Sequence, residues 1–285
     1  MIYLLIVSLI WAFSFGLIKG NLTGLDSNFV AFARLFIPFL IFLPFIKLKK
    51  IEKRISILLI INGSIQFGLM YISYIYSYQF LKAYEIAVFT ILTPLYVTLI
   101  NDLFQKKFNK LFFITSVLSI FGAAVIVYQN FERANFILGF LILQISNFCF
   151  AFGQIFYKKI MSKVENISDK NVFGLLYFGA AVITFIFSLF TTDYSTLQIT
   201  SSQTLSIIYL GVVASGLGFF LWNYGARKVD SGALAIFNNL KIPLGVAASV
   251  FIFGEDGNLI KLLIGFAIIS GALIINEKYK NDLSS

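Results

Sequence analysis

Apolar residues in this chain come in long unbroken runs, and the polar residues between them come in short ones. Runs long enough to cross a hydrocarbon layer of ~30 Å as a helix, which takes roughly 20 residues, fall at 2–19, 29–46, 55–75, 83–101, 111–129, 136–157, 172–190, 204–225, 231–253 and 259–276. They are continuous and lack the period-two alternation of a transmembrane β-barrel. The pattern predicts an all-α polytopic membrane protein with ten transmembrane helices. The first run has no basic segment ahead of it, so it reads as a membrane span and not as a cleaved signal.

The two halves of the pattern resemble each other. "FSFG" (13–16) recurs as "FAFG" (150–153). Gly63, Gly68, Tyr74 and Tyr76 match Gly211, Gly216, Trp222 and Tyr224 at an offset of 148, and Pro94 matches Pro243 at 149. "GAAVI" (122–126) matches "GALII" (271–275) at that same offset of 149. The expected domains are a first repeat over 1–133 and a second over 134–285. Five spans per repeat is odd, so the second repeat is expected to insert upside down. Inverted repeats are the usual architecture of secondary transporters, whose central cavity opens alternately to either side.

Charge sets the expected orientation. The links after spans two, four, six and eight, with the C-terminal tail, carry sixteen basic residues, among them Lys47, Lys49, Lys106, Lys158 and Arg227. The opposite links carry Lys19, Lys82, Arg133 and Lys261. The positive-inside bias puts the basic side and both termini in the cytoplasm of a cell in whose (inner) membrane the chain sits. The net charge of +9 is then a lining that meets anionic lipid headgroups, and no nucleic-acid partner is expected.

Composition narrows the chemistry. Hydrophobic residues make up 59% of the chain and charged ones 12%, about half the charged share of a soluble domain. Cys149 is the one cysteine and there is no histidine, which removes disulfides within the chain, cysteine metal clusters and the commonest proton shuttle. No G-x-S-x-G, P-loop or paired-aspartate motif lies in the spans, so an intramembrane enzyme is disfavoured. No catalytic residue, metal or cofactor is expected.

Two basic residues lie inside spans. Lys241, about halfway along span nine in "NNLKIPLG" (238–245), is too deep to snorkel. It reads either as a counter-charge for a substrate carboxylate or as the partner of a neighbouring helix. Arg34 lies nearer the outer end of span two, within reach of headgroups or of Asp26 or Glu85. Glu85 is the candidate for an ion pair or a coupled proton. Polar residues at helical spacing, namely Asn62, Gln66 and Ser73, then Gln144, Asn147 and Gln154, then Asn238 and Lys241, form stripes on three spans. Together the stripes predict a wet central cavity, although each residue alone also fits interhelical hydrogen bonding. Trp11, Phe15 and Trp222 are expected to wall that cavity. Tyr71, Tyr74 and Tyr78 crowd the outer end of span three as a gate or an interfacial belt. Pro94 and Pro243, read as mid-helix prolines that each free a carbonyl, are the candidate hinges.

The stretches "SLIWAFSFGLIK" (8–19), "ILTPLYVTLIND" (91–102), "IIYLGVVASGLGFFLWNYGARKV" (207–229) and "FIFGEDGNLIKLLIGFAIISGALII" (251–275) carry a resemblance over nearly the whole chain. It resembles the ten-span, EamA-like members of the drug/metabolite transporter superfamily. "SFGLIKGNLTGLDSNFVAFARLF" (14–36) looks like the branch of carboxylate, amino acid and amine transporters. The resemblance implies two repeats around a cavity and secondary transport of small metabolites. Family members often place an acidic residue shortly before the span-nine proline; this chain has Lys241. The leading expectation is a secondary transporter of amino acids, carboxylates or related compounds, working by alternating access. The alternatives are an exporter or importer of another class, such as a vitamin, nucleoside or drug-like compound, or a channel. The expected partners are a small-molecule substrate bearing a carboxylate and membrane lipid. A monomer suffices, and a dimer is compatible.

Overall fold

A computed structural model of the chain describes residues 1–22, 24–77, 79–81, 86, 89–127, 136–164, 167–252 and 258–279, without the side chains of 15–20, 127, 136 and 249. All regular structure among them is helical. The helices are α1 (Ile2–Asn21), α2 (Ser27–Phe42), α3 (Lys53–Ser77), α4 (Thr93–Gln105), α5 (Lys110–Val127), α6 (Phe136–Met161), α7 (Phe173–Thr191), α8 (Ser201–Ala226), α9 (Ser231–Phe251) and α10 (Leu259–Tyr279). Among the described residues six stretches are long and apolar enough to cross a membrane: Ser27–Phe45, Lys53–Ser77, Ile137–Met161, Phe173–Thr191, Ser201–Ala226 and Leu259–Tyr279. Ile2–Ser14 and Lys110–Ile126 are shorter apolar stretches. The outward surface agrees with a hydrocarbon solvent: Phe190 is 86% exposed and Leu103 74%, which water would penalise.

Polar residues begin several helices by accepting otherwise unpaired backbone N–H groups. The Asp26 carboxylate accepts from Asn28 N and Phe29 N at the start of α2. Asp230 accepts from Ala233 N at the start of α9. Thr200 and Gln203 form a reciprocal capping box on α8.

Two helices contain a wider turn. Ser64–Leu69 within α3 and Leu210–Leu217 within α8 are π-helical. The two stretches end 148 residues apart, the offset that aligns the glycines of the two halves. A π turn takes in one more residue than an α turn and leaves carbonyls for other donors. Tyr177 on α7 uses this: its hydroxyl donates to Ser215 O (2.9 Å) and Gly216 O (2.6 Å).

The expectation of two mid-helix prolines is half corrected. Pro243 does lie inside α9. Pro94 instead occupies the first turn of α4, after a turn at Ile91–Leu92. Proline has no N–H to donate and disfavours helix in the residue before it, so the break falls ahead of the ring. Side chains accept the task of satisfying the exposed carbonyls. Asn147 donates to Phe89 O (2.9 Å), Thr93 to Thr90 O (2.7 Å) and Asn239 to Ile91 O (3.0 Å).

Packing crosses between the halves. α2 packs on α7, α4 on α9 and α5 on α10. The α1–α9, α3–α7, α3–α6 and α4–α5 packings have counterparts in α6–α4, α8–α2, α8–α1 and α9–α10. Exchanging α1–α5 for α6–α10 therefore maps these packings onto one another. The packing of α5 on α9 is the main departure, since α10 and α4 show no comparable contact among the described residues.

Candidate functional site

Four aromatic side chains meet where α1, α6 and α8 converge. The Trp11 ring lies 5.9 Å from Phe150, 5.7 Å from Phe219 and 4.9 Å from Trp222 between centroids. Both indoles are held by their N–H groups. Trp11 Nε1 donates to Ala214 O in the α8 π stretch (2.9 Å), and Trp222 Nε1 donates to Gln154 Oε1 (2.8 Å). The ammonium of Lys241 faces this cluster, 5.9 Å from the Trp11 ring centre and 5.7 Å from that of Phe150. Among the described residues it makes no hydrogen bond or ion pair. Cation–π contacts at the edge of their range contribute about 0.5–1 kcal/mol. A centred lysine costs about 2.5–3.5 kcal/mol on insertion scales. The rings alone leave the charge undercompensated.

Arg34 is the second such cation. It is 7% exposed, its guanidinium carbon lies 5.0 Å from the Tyr71 ring centre, and its Nε has no hydrogen-bond partner. The guanidinium stays with Tyr71 inside the helix bundle instead of reaching for headgroups. The expected pairing with Asp26 is absent, because that carboxylate caps α2 and accepts the Thr192 hydroxyl (2.6 Å). Glu85 and Lys82 lie outside the described residues, as does Tyr78. Tyr71 packs on Phe219 (5.9 Å), and its hydroxyl is 3.4 Å from Ser215 Oγ. Arg34 and Lys241 thus flank one connected set of rings.

The six amides of the polar stripes, Asn62, Gln66, Gln144, Asn147, Gln154 and Asn238, bond across to neighbouring helices. Gln66 Nε2 donates to Asn223 Oδ1 (2.8 Å), and Asn223 Nδ2 returns a bond to Gln66 Oε1 (3.0 Å). Asn62 Nδ2 donates to Gln66 Oε1 and to Gly153 O. Gln154 and Asn238 are joined through their amides, with Trp222 as a third member. Gln144 accepts from Tyr96 (3.2 Å) and Asn147 (3.1 Å), and both amides donate to Phe89 O. Gln66, Gln144, Asn147 and Asn238 therefore fasten helices together. The side chain of Phe15 lies outside the described ones. Asn223, Asn239, Tyr177 and Phe219 escaped the sequence reading, because the groups they meet lie on other helices, far away along the chain.

At the basic end of the molecule Asp169 joins three elements. It accepts from the Tyr157 hydroxyl (2.7 Å) and from Arg227 Nη1 (2.6 Å). Lys158 Nζ donates to Val229 O nearby.

Three comparisons bear on what this framework is. A chain similar over 96% of both lengths, at 35% identity, is a probable biotin transporter of Pseudomonas aeruginosa. The biotin transporter of Escherichia coli K12 is 33% identical over the whole of this chain and 95% of its own. A probable amino-acid metabolite efflux pump of Escherichia coli K12 is 27% identical, over 58% of this chain and 55% of its own. A solved structure superposes with a TM-score of 0.79 at 13% identity, covering 96% of this chain and 95% of the other, which shows a shared fold. The sequence profile of the EamA-like transporter family matches residues 1–128 and again 137–277. The chain belongs to the EamA-like transporter family and is a multi-pass membrane protein.

Proposed function

We propose that this chain is a secondary transporter for biotin or a vitamin of like chemistry, an apolar ring system bearing a carboxylate. The observation that carries the reading is the Lys241 ammonium, without a polar partner among the described residues and set at mid-helix against Trp11 and Phe150. A carboxylate completes the lysine and an apolar bicycle lies against the indoles, so one ligand satisfies both halves of the site. Chain-long similarity to biotin transporters supports the vitamin. This vitamin reading takes precedence over amino acids, which the sequence favoured, because the efflux-pump similarity covers little more than half of each chain.

The mechanism is alternating access by two inverted five-helix repeats, 1–133 and 134–285, in ten spans. Support comes from the profile matching each half, the π stretches at a common offset and the exchangeable packings. The basic side and both termini face the cytoplasm, in the inner membrane, and one chain encloses the path. Pro94 with its preceding break, and Pro243, supply the hinges.

The test is uptake of labelled biotin into proteoliposomes, with amino acids and organic acids as competitors. Loss of a charge-assisted bond of about 1.5–3 kcal/mol predicts that Lys241→Gln slows biotin uptake about tenfold to hundredfold, with the protein still folded. Competition by amino acids alone, or uptake by Lys241→Gln at the wild-type rate, overturns the reading.

A further inference from the structure

We infer that Arg34, held by Tyr71, forms a second polar subsite that recognises an uncharged carbonyl acceptor at the end of the substrate opposite its carboxylate. The inference rests on the transport reading above. For biotin that acceptor is the ureido carbonyl of the ring system.

Three observations carry it. Arg34 is buried and makes no hydrogen bond or ion pair among the described residues, and its Nε is shut away without a partner. A guanidinium cannot shed its proton to relieve that burial, so a group that accepts its hydrogen bonds is called for. The Tyr71 ring lies beneath it, with the guanidinium carbon 5.0 Å from the ring centre, and gives the cation a fixed aromatic neighbour. Tyr71 is itself fixed, packed on Phe219 and close to Ser215 Oγ in the α8 π stretch, whose carbonyl accepts from Tyr177.

Its place relative to Lys241 decides the kind of ligand. The two cations touch different rings, Tyr71 for one and Trp11 with Phe150 for the other, and these rings meet through Phe219. A ligand lying along Phe219 and Trp11 meets a point charge at one end and a planar fork of donors at the other. Lysine suits the carboxylate as a compact charge. Arginine offers several N–H groups in a fixed plane, the match for a planar carbonyl. Two charged ends are not required of the ligand. A carbonyl oxygen accepts from a guanidinium without the desolvation cost of a second anion.

The experiment measures binding of biotin, biotin methyl ester and 2-iminobiotin to the purified full chain by thermal shift and tryptophan fluorescence. 2-Iminobiotin replaces the ureido carbonyl with a group that is cationic at neutral pH. Wild type is expected to bind biotin at least a hundredfold more tightly than 2-iminobiotin. Arg34→Gln is expected to cut that preference at least tenfold, mainly by weaker biotin binding and stronger 2-iminobiotin binding. Its preference for biotin over the methyl ester stays as in wild type. Lys241→Gln does the reverse, losing the preference over the ester and keeping that over 2-iminobiotin. If Arg34→Gln does not fold, Arg34→Lys keeps the charge, and a loss of at least threefold in the same ratio is the supporting result. An unchanged ratio in the folded Arg34 variant, with biotin still bound, overturns this inference and leaves the transport reading standing. A wild type that binds no biotin overturns both.

Discussion

Gln66 and Asn223 exchange two hydrogen bonds across α3 and α8, and both are fully buried. Replacing one of them strands the other in a place water does not reach, at a cost of about 1–3 kcal/mol. Gln66→Leu should therefore lower the melting temperature in detergent. Gln66→Leu with Asn223→Leu should lower it by less than the two single losses combined, because the double variant leaves no amide of the pair unpaired. Equal additive losses would show that the two amides do not depend on one another. The same contrast explains what could be read along the chain. Lys241 and Arg34 stand out in apolar runs because a charge there has no cheap structural reason to exist. Asn223 does not stand out, because a neutral amide costs little and its partner lies 157 residues away. The sequence pattern singled out the charged groups, and for each amide it left open the interhelical bonding that the structure shows.

Helix positions were legible because hydrocarbon demands long apolar runs, and α7 and α10 fall within a few residues of the expected spans. The π stretches were not, since "LGVVASGL" carries no mark that separates a wide turn from an ordinary one. Close approaches were legible only in part. The repeat aligns Gly122 with Gly271, yet the glycine that meets Gly122 is Gly265. A Cβ added at Gly265 would fall 2.4 Å from Gly122 O and 2.3 Å from Ile126 Cγ1, whereas at Gly271 nothing lies within 4 Å. Gly265→Ala should push α5 and α10 apart and destabilise by about 1–3 kcal/mol, the range for an overpacked contact. Gly271→Ala should be neutral or stabilise by up to about 1 kcal/mol through helix propensity. Melting curves of the two variants, collected in one detergent, decide this; the reverse order would mean that the α5–α10 crossing is misplaced.

Among the described residues the main departure of the packing from symmetry under exchange of the halves is that α5 packs on α9 without a comparable contact between α10 and α4. Under the mechanism proposed above, such an asymmetry moves from one half to the other as the access side changes. In the opposite state α5 and α9 should separate and α4 should close on α10. Asn239 is well placed to report this, because its amide reaches Ser119 Oγ on α5 (3.5 Å) while also holding Ile91 O at the α4 break. The pair Ser119→Cys with Asn239→Cys should form a disulfide under mild oxidation. The native thiol interferes little, since Cys149 is buried on α6. A bridge between α5 and α9 should stop biotin uptake in proteoliposomes, and reduction should restore it to the rate of the reduced double variant. Binding measured by thermal shift should survive the bridge, because the Lys241 and Arg34 environments are formed in this state. Full uptake by a quantitatively bridged protein would mean that α5 and α9 travel together, and the rearrangement would have to run through another pair of helices.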